Sequence, residues 1–447
     1  MTKRKYFGTD GIRGRVGKFP ITPEFALKLG YAAGKVLCDE TQNAKILIGK
    51  DTRVSGYMFE SALEAGLSAA GVNTCLLGPI PTPAVAYLVR DFRAQMGIMI
   101  SASHNPYYDN GIKFFFSNGQ KLPDEVELKI EQQIDNAEIK IDERNIGKVT
   151  RINDAPTRYI EFCKKVFPDE LTLRGLKIVI DCANGSGYYV GPRVFRELGA
   201  EVLEINNNPD GFNINECCGA TNTETLRQIV LAEQADLGIA LDGDGDRLMM
   251  VDHQGAIVDG DEILFIIAKF MHERDKLSGG VVGTSMSNFG LEQAIKRLGV
   301  EFVRSRVGDR YVMEELLKRG WLFGGESSGH IICLDASTTG DGIISALLVL
   351  TVIKVCGKSL YELKSQMKKL PQKLINVKVT SKKYLDSQSV QIAQKMAEQK
   401  LKDTGRILLR ASGTEPVIRV MVEGQDASLI DEIAAELAEA VSLASSV

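Results

Sequence analysis

The sequence predicts an α/β fold: three related α/β domains with mixed or parallel sheets and a C-terminal α+β domain, arranged around a central cleft. The chain has 447 residues, 44% hydrophobic and 25% charged, which is enough to build several cores. Apolar strands alternate with helical patterns three times, and this pattern changes after residue 368. We therefore expect four domains, over residues 1–153, 154–254, 255–367 and 368–447.

Each of the first three domains repeats one pattern of strand, helix, strand, helix and strand. The first strands are ILIGKD, KIVID and GGVVGT, and the third strands are MGIMI, DLGIAL and WLFG. The first helices stop at Gly71, Gly199 and Gly299, as is usual because glycine tolerates the left-handed conformation. Parallel strands end at one edge of a sheet, so we expect the polar loop after each third strand to face the same cleft.

The last domain has a different order of elements. The strands KLINVKV, RILLRA and VIRVMVEG are accompanied by helical patterns over 389–401 and 427–444. This order predicts a small α+β domain with a polar loop between its second and third strands.

In the first domain, the loop after the third strand is SASHNP, residues 101–106. A hydroxyl placed where a buried strand ends is available for chemistry, so Ser103 is the candidate nucleophile. His104 is its neighbour in sequence and would point away from it in extended chain, which disfavours a catalytic triad. Taken alone, the loop also fits an ordinary polar turn closed by Asn-Pro.

In the second domain, the loop after the third strand is DGDGDR, with Asp242, Asp244 and Asp246 at alternate positions. Intervening glycines allow tight curvature, so the carboxylates can converge on a hard cation such as Mg²⁺. A solvated acidic turn is the plain alternative, but three like charges at a buried strand end repel one another without a cation or arginine. An apolar strand followed by Asp-x-Asp also fits an aspartyl-phosphate enzyme.

Two further loops carry groups that suit a phosphorylated sugar. In GESSGH, residues 325–330, Glu326 and a serine suit sugar hydroxyls, and His330 can move a proton near neutral pH. In RASGTEP, residues 410–416, an arginine, two hydroxyls and backbone N–H groups suit phosphate oxygens, and Arg419 follows. Ordinary Gly-Ser loops and a β-hairpin turn are the alternatives.

Three more segments bring charged groups towards these loops. Arg13 lies in a glycine-rich segment that we expect to be flexible, and Lys113 follows the serine loop closely. Arg310 precedes a helix expected from Tyr311, where Asp309 can equally be a helix cap. Together the loops predict phosphoryl transfer through a serine, between two ends of one phosphosugar. An aspartyl-phosphate phosphatase and a sugar-phosphate binding protein without turnover are the other hypotheses.

The composition excludes several classes of partner. The net charge is −4 and the calculated pI is 5.8, so there is no overall basic surface for nucleic acid or anionic lipid. Apolar runs are too short for a membrane span and the N-terminus has no apolar signal core, so we expect a soluble cytoplasmic protein. The eight cysteines contain no Cys-x-x-Cys pair and are expected to be reduced thiols.

The four loops SASHNP, DGDGDR, GESSGH and RASGTEP occur in this order, and the chain resembles the α-D-phosphohexomutase superfamily from end to end. The resemblance implies a phosphorylated serine whose phosphate joins the aspartates around Mg²⁺, and three further groups that assist proton transfer or stabilise the moving phosphoryl group. The implied metal ligands are Ser103, Asp242, Asp244 and Asp246. The implied catalytic residues are Ser103, Arg13, Lys113 and His330.

The resemblance also implies a substrate site drawn from every loop, and a homodimer. Sugar contacts, sugar specificity and a phosphate cradle are assigned to different loops of the chain. The implied substrate-binding residues are His104, Arg247, Gly308, Asp309, Arg310, Glu326, Ser328, Arg410, Ser412, Gly413, Thr414 and Arg419.

Within the superfamily, three features are typical of the bacterial branch that acts on glucosamine phosphates: the opening KYFGTDGIRGRVG, the segment VGDRYV and the polar Ser327. The implied reaction converts glucosamine 6-phosphate and glucosamine 1-phosphate through glucosamine 1,6-bisphosphate, in the supply of UDP-N-acetylglucosamine for cell-wall synthesis. The alternative branch acts on mannose and glucose phosphates. It typically has Gly-His in place of Gly308-Asp309 and methionine at position 327.

Overall fold

The computed structural model of the protein describes residues 4–38, 44–136, 138–411 and 416–446. The described residues form four sheets, three of them in α/β units and the last in an α+β unit. We number these units in chain order. In these ranges no helix is long and apolar enough to cross a membrane. The seven cysteines whose side chains are described are free thiols.

A six-stranded sheet forms the first unit. Its strands are β1 (Ile12–Arg15), β2 (Lys45–Lys50), β3 (Asn73–Pro79), β4 (Met96–Ile100), β5 (Asp109–Phe116) and β6 (Val149–Arg151). Its helices are α1 (Pro23–Cys38), α2 (Ser55–Ala69), α3 (Thr82–Asp91) and α4 (Asp124–Asn136). Arg13 pairs with Gly111 across β1 and β5, so the segment expected to be flexible is an ordered edge strand at this residue.

The second and third units are smaller. The second contains α5 (Ala155–Lys164), β7 (Lys177–Asp181), α6 (Val190–Glu197), β8 (Glu201–Ile205), α7 (Glu224–Ala232), β9 (Leu237–Leu241), β10 (Leu248–Asp252) and β11 (Ile257–Val258). The third contains α8 (Gly260–His272), β12 (Val281–Thr284), α9 (Phe289–Arg297), β13 (Phe302–Ser305), α10 (Asp309–Arg319), β14 (Phe323–Gly325), β15 (Ile331–Cys333), α11 (Gly342–Cys356) and α12 (Leu360–Lys364).

The first three units share one strand order, which confirms the repeat predicted from the sequence. In each unit the first strand of the repeat lies between the second and the third, and a fourth strand runs antiparallel to the third. The equivalent series are β3-β2-β4-β5, β8-β7-β9-β10 and β13-β12-β14-β15. Each polar loop therefore occupies the same place, between the third strand of the repeat and its antiparallel neighbour.

The fourth unit is the expected small α+β fold. It contains β16 (Gln372–Lys378), α13 (Gln388–Leu401), β17 (Gly405–Ala411), β18 (Val417–Gly424) and α14 (Ala427–Ser446). The sheet is antiparallel with the order β16-β18-β17. Ile418, Val420 and Val422 pack with both helices in one core. Arg419 lies between Ile418 and Val420 on β18 and therefore belongs to the opposite face of the sheet. That opposite face is the one left to carry a polar site.

Helix α11 is buried along most of its length, as expected for a helix that is apolar on all sides. Its N-terminus is capped by Asp341, which is 1% exposed and accepts hydrogen bonds from the N–H groups of Ile343 and Ile344, both at 3.0 Å. The hydroxyl of Tyr159 in α5 donates to the same carboxyl at 2.7 Å. Burial raises the pKa of Asp341 to about 6, even though these three hydrogen bonds lower it.

This raised pKa predicts a pH-dependent effect of Asp341→Asn. Between the unfolded pKa, about 4, and the folded value, about 6, the folded carboxyl keeps a proton that the unfolded chain has lost. The wild type should therefore lose stability relative to Asp341→Asn as the pH rises through this window, and the difference should level off above it. Thermal unfolding of both proteins from about pH 4.5 to pH 7 checks this.

The exposed Asp169→Asn is the matched control for this series, and its melting temperature should follow the wild type at every pH. A wild type that keeps or gains stability relative to Asp341→Asn as the pH rises through this window would show that burial does not raise the pKa of Asp341.

Candidate active site

Ser103 lies in the loop between β4 and β5 and is 1% exposed. Its hydroxyl donates a hydrogen bond to Oδ2 of Asp242 in the second unit at 2.7 Å. Nδ1 of His104 lies 3.2 Å from Oγ of Ser103. The φ of Ser103 is +52°, in the left-handed region that few residues other than glycine adopt. The candidate nucleophile is therefore held in an uncommon backbone conformation beside a carboxylate of another unit.

Asp242, Asp244 and Asp246 form the acidic cluster, in the loop between β9 and β10. All three are buried, and one carboxylate oxygen from each lies within 4.8 Å of the others. Gly243 allows the serine loop to approach, because a Cβ there would lie 2.6 Å from the carbonyl oxygen of Ser103. The two loops are thus in direct contact.

The donor set of the acidic cluster fits a hard divalent cation. Oδ1 of Asp244 and Oδ1 of Asp246 are buried without a hydrogen-bond partner. Burial, Asp246 and Asp244 together raise the pKa of Asp242 well above its usual range, because a further negative charge is unfavourable there. Clustered carboxylate oxygens with free lone pairs are typical ligands of such a cation.

Basic groups of the first unit face the acidic cluster. Nζ of Lys113 lies 2.7 Å from Oδ2 of Asp244 and 3.2 Å from Oδ2 of Asp10, and Arg13 pairs with Asp10. Burial alone would lower the pKa of Lys113, but Asp10, Asp244 and Asp246 raise it above its usual value. Lys113 is therefore a permanent buried cation at physiological pH.

His330 approaches the acidic cluster from the third unit. Its Nδ1 lies 3.7 Å from Oδ2 of Asp246, and its Nε2 lies 3.7 Å from Oδ2 of Asp309. Burial lowers the pKa of His330, but Asp246, Asp309 and Glu326 outweigh it and raise the value to about 9. The imidazole is therefore protonated at neutral pH.

The loop between β14 and β15 is linked to the start of α10. Oε1 of Glu326 accepts a hydrogen bond from the N–H of Gly308 at 2.9 Å, and Ser328, two residues after Glu326, is half-buried. Helix α10 begins at Asp309, two residues earlier than expected, because Gly308 occupies the cap position with a φ of +122°. Asp309 is therefore not the cap, and its carboxylate is available to the network around His330.

His104 and Arg247 lie at the boundary of the serine and acidic loops. Burial, Arg247 and Arg13 lower the pKa of His104 to about 4, so its imidazole is neutral near pH 7. The N–H of Arg247 donates to Oδ1 of Asp242 at 3.1 Å. Burial lowers the pKa of the Arg247 guanidinium, but Asp246 and Asp242 raise it overall.

Arg410 and Arg419 lie directly opposite each other on β17 and β18. Directly opposed residues share a sheet face, and the fork of N–H donors on each arginine suits phosphate oxygens. The fourth unit therefore presents an arginine pair suited to a phosphate. The other predicted cradle residues, Ser412, Gly413 and Thr414, lie outside the described residues.

Arg310 lines a cavity together with Lys121, Asp309 and His330, and it also contacts the first unit. Its guanidinium forms salt bridges to Asp124 and Glu127 of α4 in the first unit. Burial lowers its pKa and the nearby Arg4, which pairs with the same two carboxylates, lowers it further. The described position of Arg310 therefore joins the first and third units and does not contact the acidic cluster.

Sequence reasoning missed several groups that touch the predicted residues. Asp10 links Arg13, Lys113 and Lys121, and Lys121 also pairs with Asp309. Oγ1 of Thr82 donates to Oδ2 of Asp244 at 2.5 Å. Two of these residues had a usable signal in the sequence: Thr82 follows the second strand of its unit, and Asp10 lies in a glycine-rich segment three residues before Arg13. Lys121 follows the turn after β5 and forms an isolated β-bridge with Phe115, and it had no sequence signal.

Four models of the phosphoglucomutase/phosphomannomutase family match consecutive parts of the chain. The models of its α/β/α domains I, II and III match residues 4–140, 157–255 and 259–370. The model of its C-terminal domain matches residues 374–440. The matches cover most of the chain in the order that the family requires.

Full-length relatives agree with these models. The phosphoglucosamine mutase of Methylococcus capsulatus is 61% identical over 445 residues, 99% of each chain, and that of Pseudomonas putida is 59% identical over 440 residues, 98% of each. A phosphoglucomutase/phosphomannomutase family protein from Burkholderia thailandensis has a TM-score of 0.83 at 23% identity, covering 99% of this chain and 98% of that one. Aspergillus fumigatus N-acetylphosphoglucosamine mutase, solved with GlcNAc-6P and magnesium, has a TM-score of 0.67 at 20% identity, covering 99% and 96%. The chain therefore belongs to the phosphoglucomutase/phosphomannomutase family, within the α-D-phosphohexomutase superfamily.

Proposed function

We propose that the chain interconverts glucosamine 6-phosphate and glucosamine 1-phosphate, with Ser103 as the phosphoryl carrier, in the supply of UDP-N-acetylglucosamine. The observation that carries the proposal is the Ser103 hydroxyl, 2.7 Å from Asp242 inside a buried cluster of carboxylates. The choice of glucosamine rests on full-length relatives, 61% and 59% identical, that are phosphoglucosamine mutases.

The reaction consists of two opposite phosphoryl transfers. In the first, the bond between phosphorus and Oγ of phosphorylated Ser103 breaks while a bond to the free sugar hydroxyl forms. The sugar hydroxyl loses a proton and Oγ gains one, which gives glucosamine 1,6-bisphosphate and the hydroxyl that donates to Asp242. The bisphosphate then turns over, and its other phosphate returns a phosphoryl group to Ser103.

Buried charges in the cleft support these transfers. Lys113 and Arg13 offset the negative charge that the phosphoryl group brings, and they are fixed by Asp10. Protonated His330 can donate a hydrogen bond to a phosphoryl or sugar oxygen, and neutral His104 can accept one. Because Lys113, Arg13 and His330 are held by ion pairs before substrate arrives, little reorganisation of these three groups is needed during the transfer.

We assign the cation site to Asp242, Asp244, Asp246 and the phosphate of Ser103, and we propose Mg²⁺ as the ion. A bound Mg²⁺ would offset the charges of three carboxylates and a phosphoserine, which carries about −1.5 to −2 at neutral pH. The two unpartnered oxygens of Asp244 and Asp246 support this assignment.

Substrate binding is assigned to the loops of the third and fourth units. Glu326, Ser328, Gly308 and Asp309 would contact the sugar, and the Arg410–Arg419 pair would hold the phosphate that is not reacting. The same pair must accept either phosphate of the bisphosphate, because the intermediate turns over between the two steps. Closure of the fourth unit over the cleft would exclude water while the bisphosphate turns over.

Ser103→Ala should abolish turnover, because no other oxygen occupies the position of Oγ beside Asp242. We expect kcat to fall at least about 10⁴-fold, and the mass of a covalent phosphoryl group to disappear from the protein. Coupled assays and intact-protein mass spectrometry measure both, with the exposed Ser278→Ala as the control that keeps them. Undiminished turnover in Ser103→Ala would refute the carrier role, and a label lost to hydroxylamine would indicate an aspartyl phosphate instead.

Removal of divalent cations should stop the reaction, and Mg²⁺ should restore it. Asp244→Asn removes one charge from the acidic cluster and should lower kcat about 100-fold or more while raising the Mg²⁺ concentration needed for half-maximal rate. Titration of activity with Mg²⁺ after chelation measures this, and the exposed Asp169→Asn is the control. Full activity in the presence of excess chelator would contradict the cation assignment.

The substrate assignment predicts a preference among sugars. Glucosamine 6-phosphate should have a kcat/KM about 10- to 100-fold above those of glucose and mannose 6-phosphates, since a site that binds the amine leaves polar groups unpaired with the other sugars. Parallel assays with Mg²⁺ and a trace of the matching bisphosphate check this. An equal or higher value for mannose or glucose 6-phosphate would favour phosphomannomutase/phosphoglucomutase activity.

A further inference from the structure

We propose that the buried pair Asp51–Arg53 positions Ser103 for phosphoryl transfer, although neither side chain contacts its hydroxyl. Both residues are completely buried, and Nε of Arg53 donates to Oδ2 of Asp51 at 2.8 Å. The inference rests on the proposed function, in which Ser103 carries the phosphoryl group. It adds two positioning residues that act through the backbone of the serine loop.

Arg53 uses all five of its N–H donors. Nε is taken by Asp51, and the other four bonds go to backbone carbonyl oxygens of the serine loop and the start of β5. Nη2 donates to the carbonyl of Ser103 at 2.9 Å. The four carbonyls belong to Ser103, Asn105, Pro106 and Asp109. A planar guanidinium fork thus fixes the course of the loop at four points.

Asp51 fixes the other side of Ser103. Its Oδ2 accepts a hydrogen bond from the hydroxyl of Ser101 at 2.6 Å. Oγ of Ser101 in turn accepts a hydrogen bond from the N–H of Ser103 at 2.9 Å. The N–H and the C=O of Ser103 are therefore both tied to the Asp51–Arg53 pair, one through Ser101 and one directly.

Asn215 reinforces this arrangement from the second unit. Its Nδ2 donates to the carbonyl of Ser103 at 2.9 Å and to that of Asn105 at 3.0 Å, the same two acceptors that Nη2 of Arg53 uses. The serine loop is therefore held between two donors, one buried beneath it and one in the unit that carries the acidic cluster.

The backbone conformation of Ser103 explains why such support is needed. A φ of +52° is unfavourable for a residue with a Cβ, so an unsupported loop would relax to a negative φ. Such a change would turn Oγ away from Asp242. Since the same oxygen must give and take back a phosphoryl group, a misplacement of about 1 Å would cost on the order of 100-fold in rate.

Arg53→Lys tests the inference. Lysine keeps a positive charge near Asp51 but offers three donors on one atom, so it cannot hold four carbonyls. We expect kcat to fall about 100-fold with little change in KM, because the groups assigned to the sugar and the distant phosphate are untouched. The rate at which isolated phosphorylated enzyme passes its phosphoryl group to substrate should fall equally in single-turnover experiments. The half-exposed Arg158→Lys, which pairs with Asp91 and Asp154, is the matched control and should behave as wild type.

Asn215→Ala is the second variant, for the case that Arg53→Lys does not fold. It removes two of the bonds to the loop from a half-buried position and should lower kcat about 10-fold, again without a matching rise in KM. Folded Arg53→Lys or Asn215→Ala with wild-type kcat would overturn the inference, as would a loss expressed mainly in KM. If Ser103→Ala were active, the proposed function would fail; if it is inactive while Arg53→Lys keeps full activity, only the positioning role fails.

Discussion

Charge balance in a buried cleft is the constraint on which the rest of this structure depends. Three aspartates are close enough to hold one ion, and burial together with the negative charges of Asp246 and Asp244 raises the pKa of Asp242. Lys113 and His330 lower the pKa of Asp246 despite its burial. Lys113 comes from the first unit and His330 from the third, whereas the three carboxylates come from the second, so the charge balance depends on the packing of all three units.

The shared strand order solves the problem of bringing these groups to one place. Each of the three units ends its central parallel strands at one edge and then reverses into an antiparallel strand, so every reversal produces a loop at an equivalent position. One such loop supplies a hydroxyl, the next a set of carboxylates and the third an imidazole and a carboxylate. Direct contacts join the loops, as where the hydroxyl of Ser103 donates to Asp242 across two units.

Patterns of side-chain type along the chain were sufficient to predict the α/β architecture, the repeat, and the closeness of Ser103 to the acidic cluster. They were not sufficient for residues that act on the backbone. Arg53 donates to carbonyl oxygens, which every residue has, so no local pattern distinguishes it from a surface arginine. Arg310 is a second case: it lines a cavity with His330, but no pattern in the sequence predicted that the carboxylates of α4 would bind its guanidinium.

The common topology also determines what each unit can contribute to the site. In the part of the chain that the structure describes, the hydroxyl of Ser103, the carboxylates of the acidic cluster and the imidazole of His330 lie in three different reversal loops. Three identical loops would bring three copies of the same functional group to the cleft. The chemistry therefore depends on the differences between the loops, while the shared strand order keeps the loops facing one another.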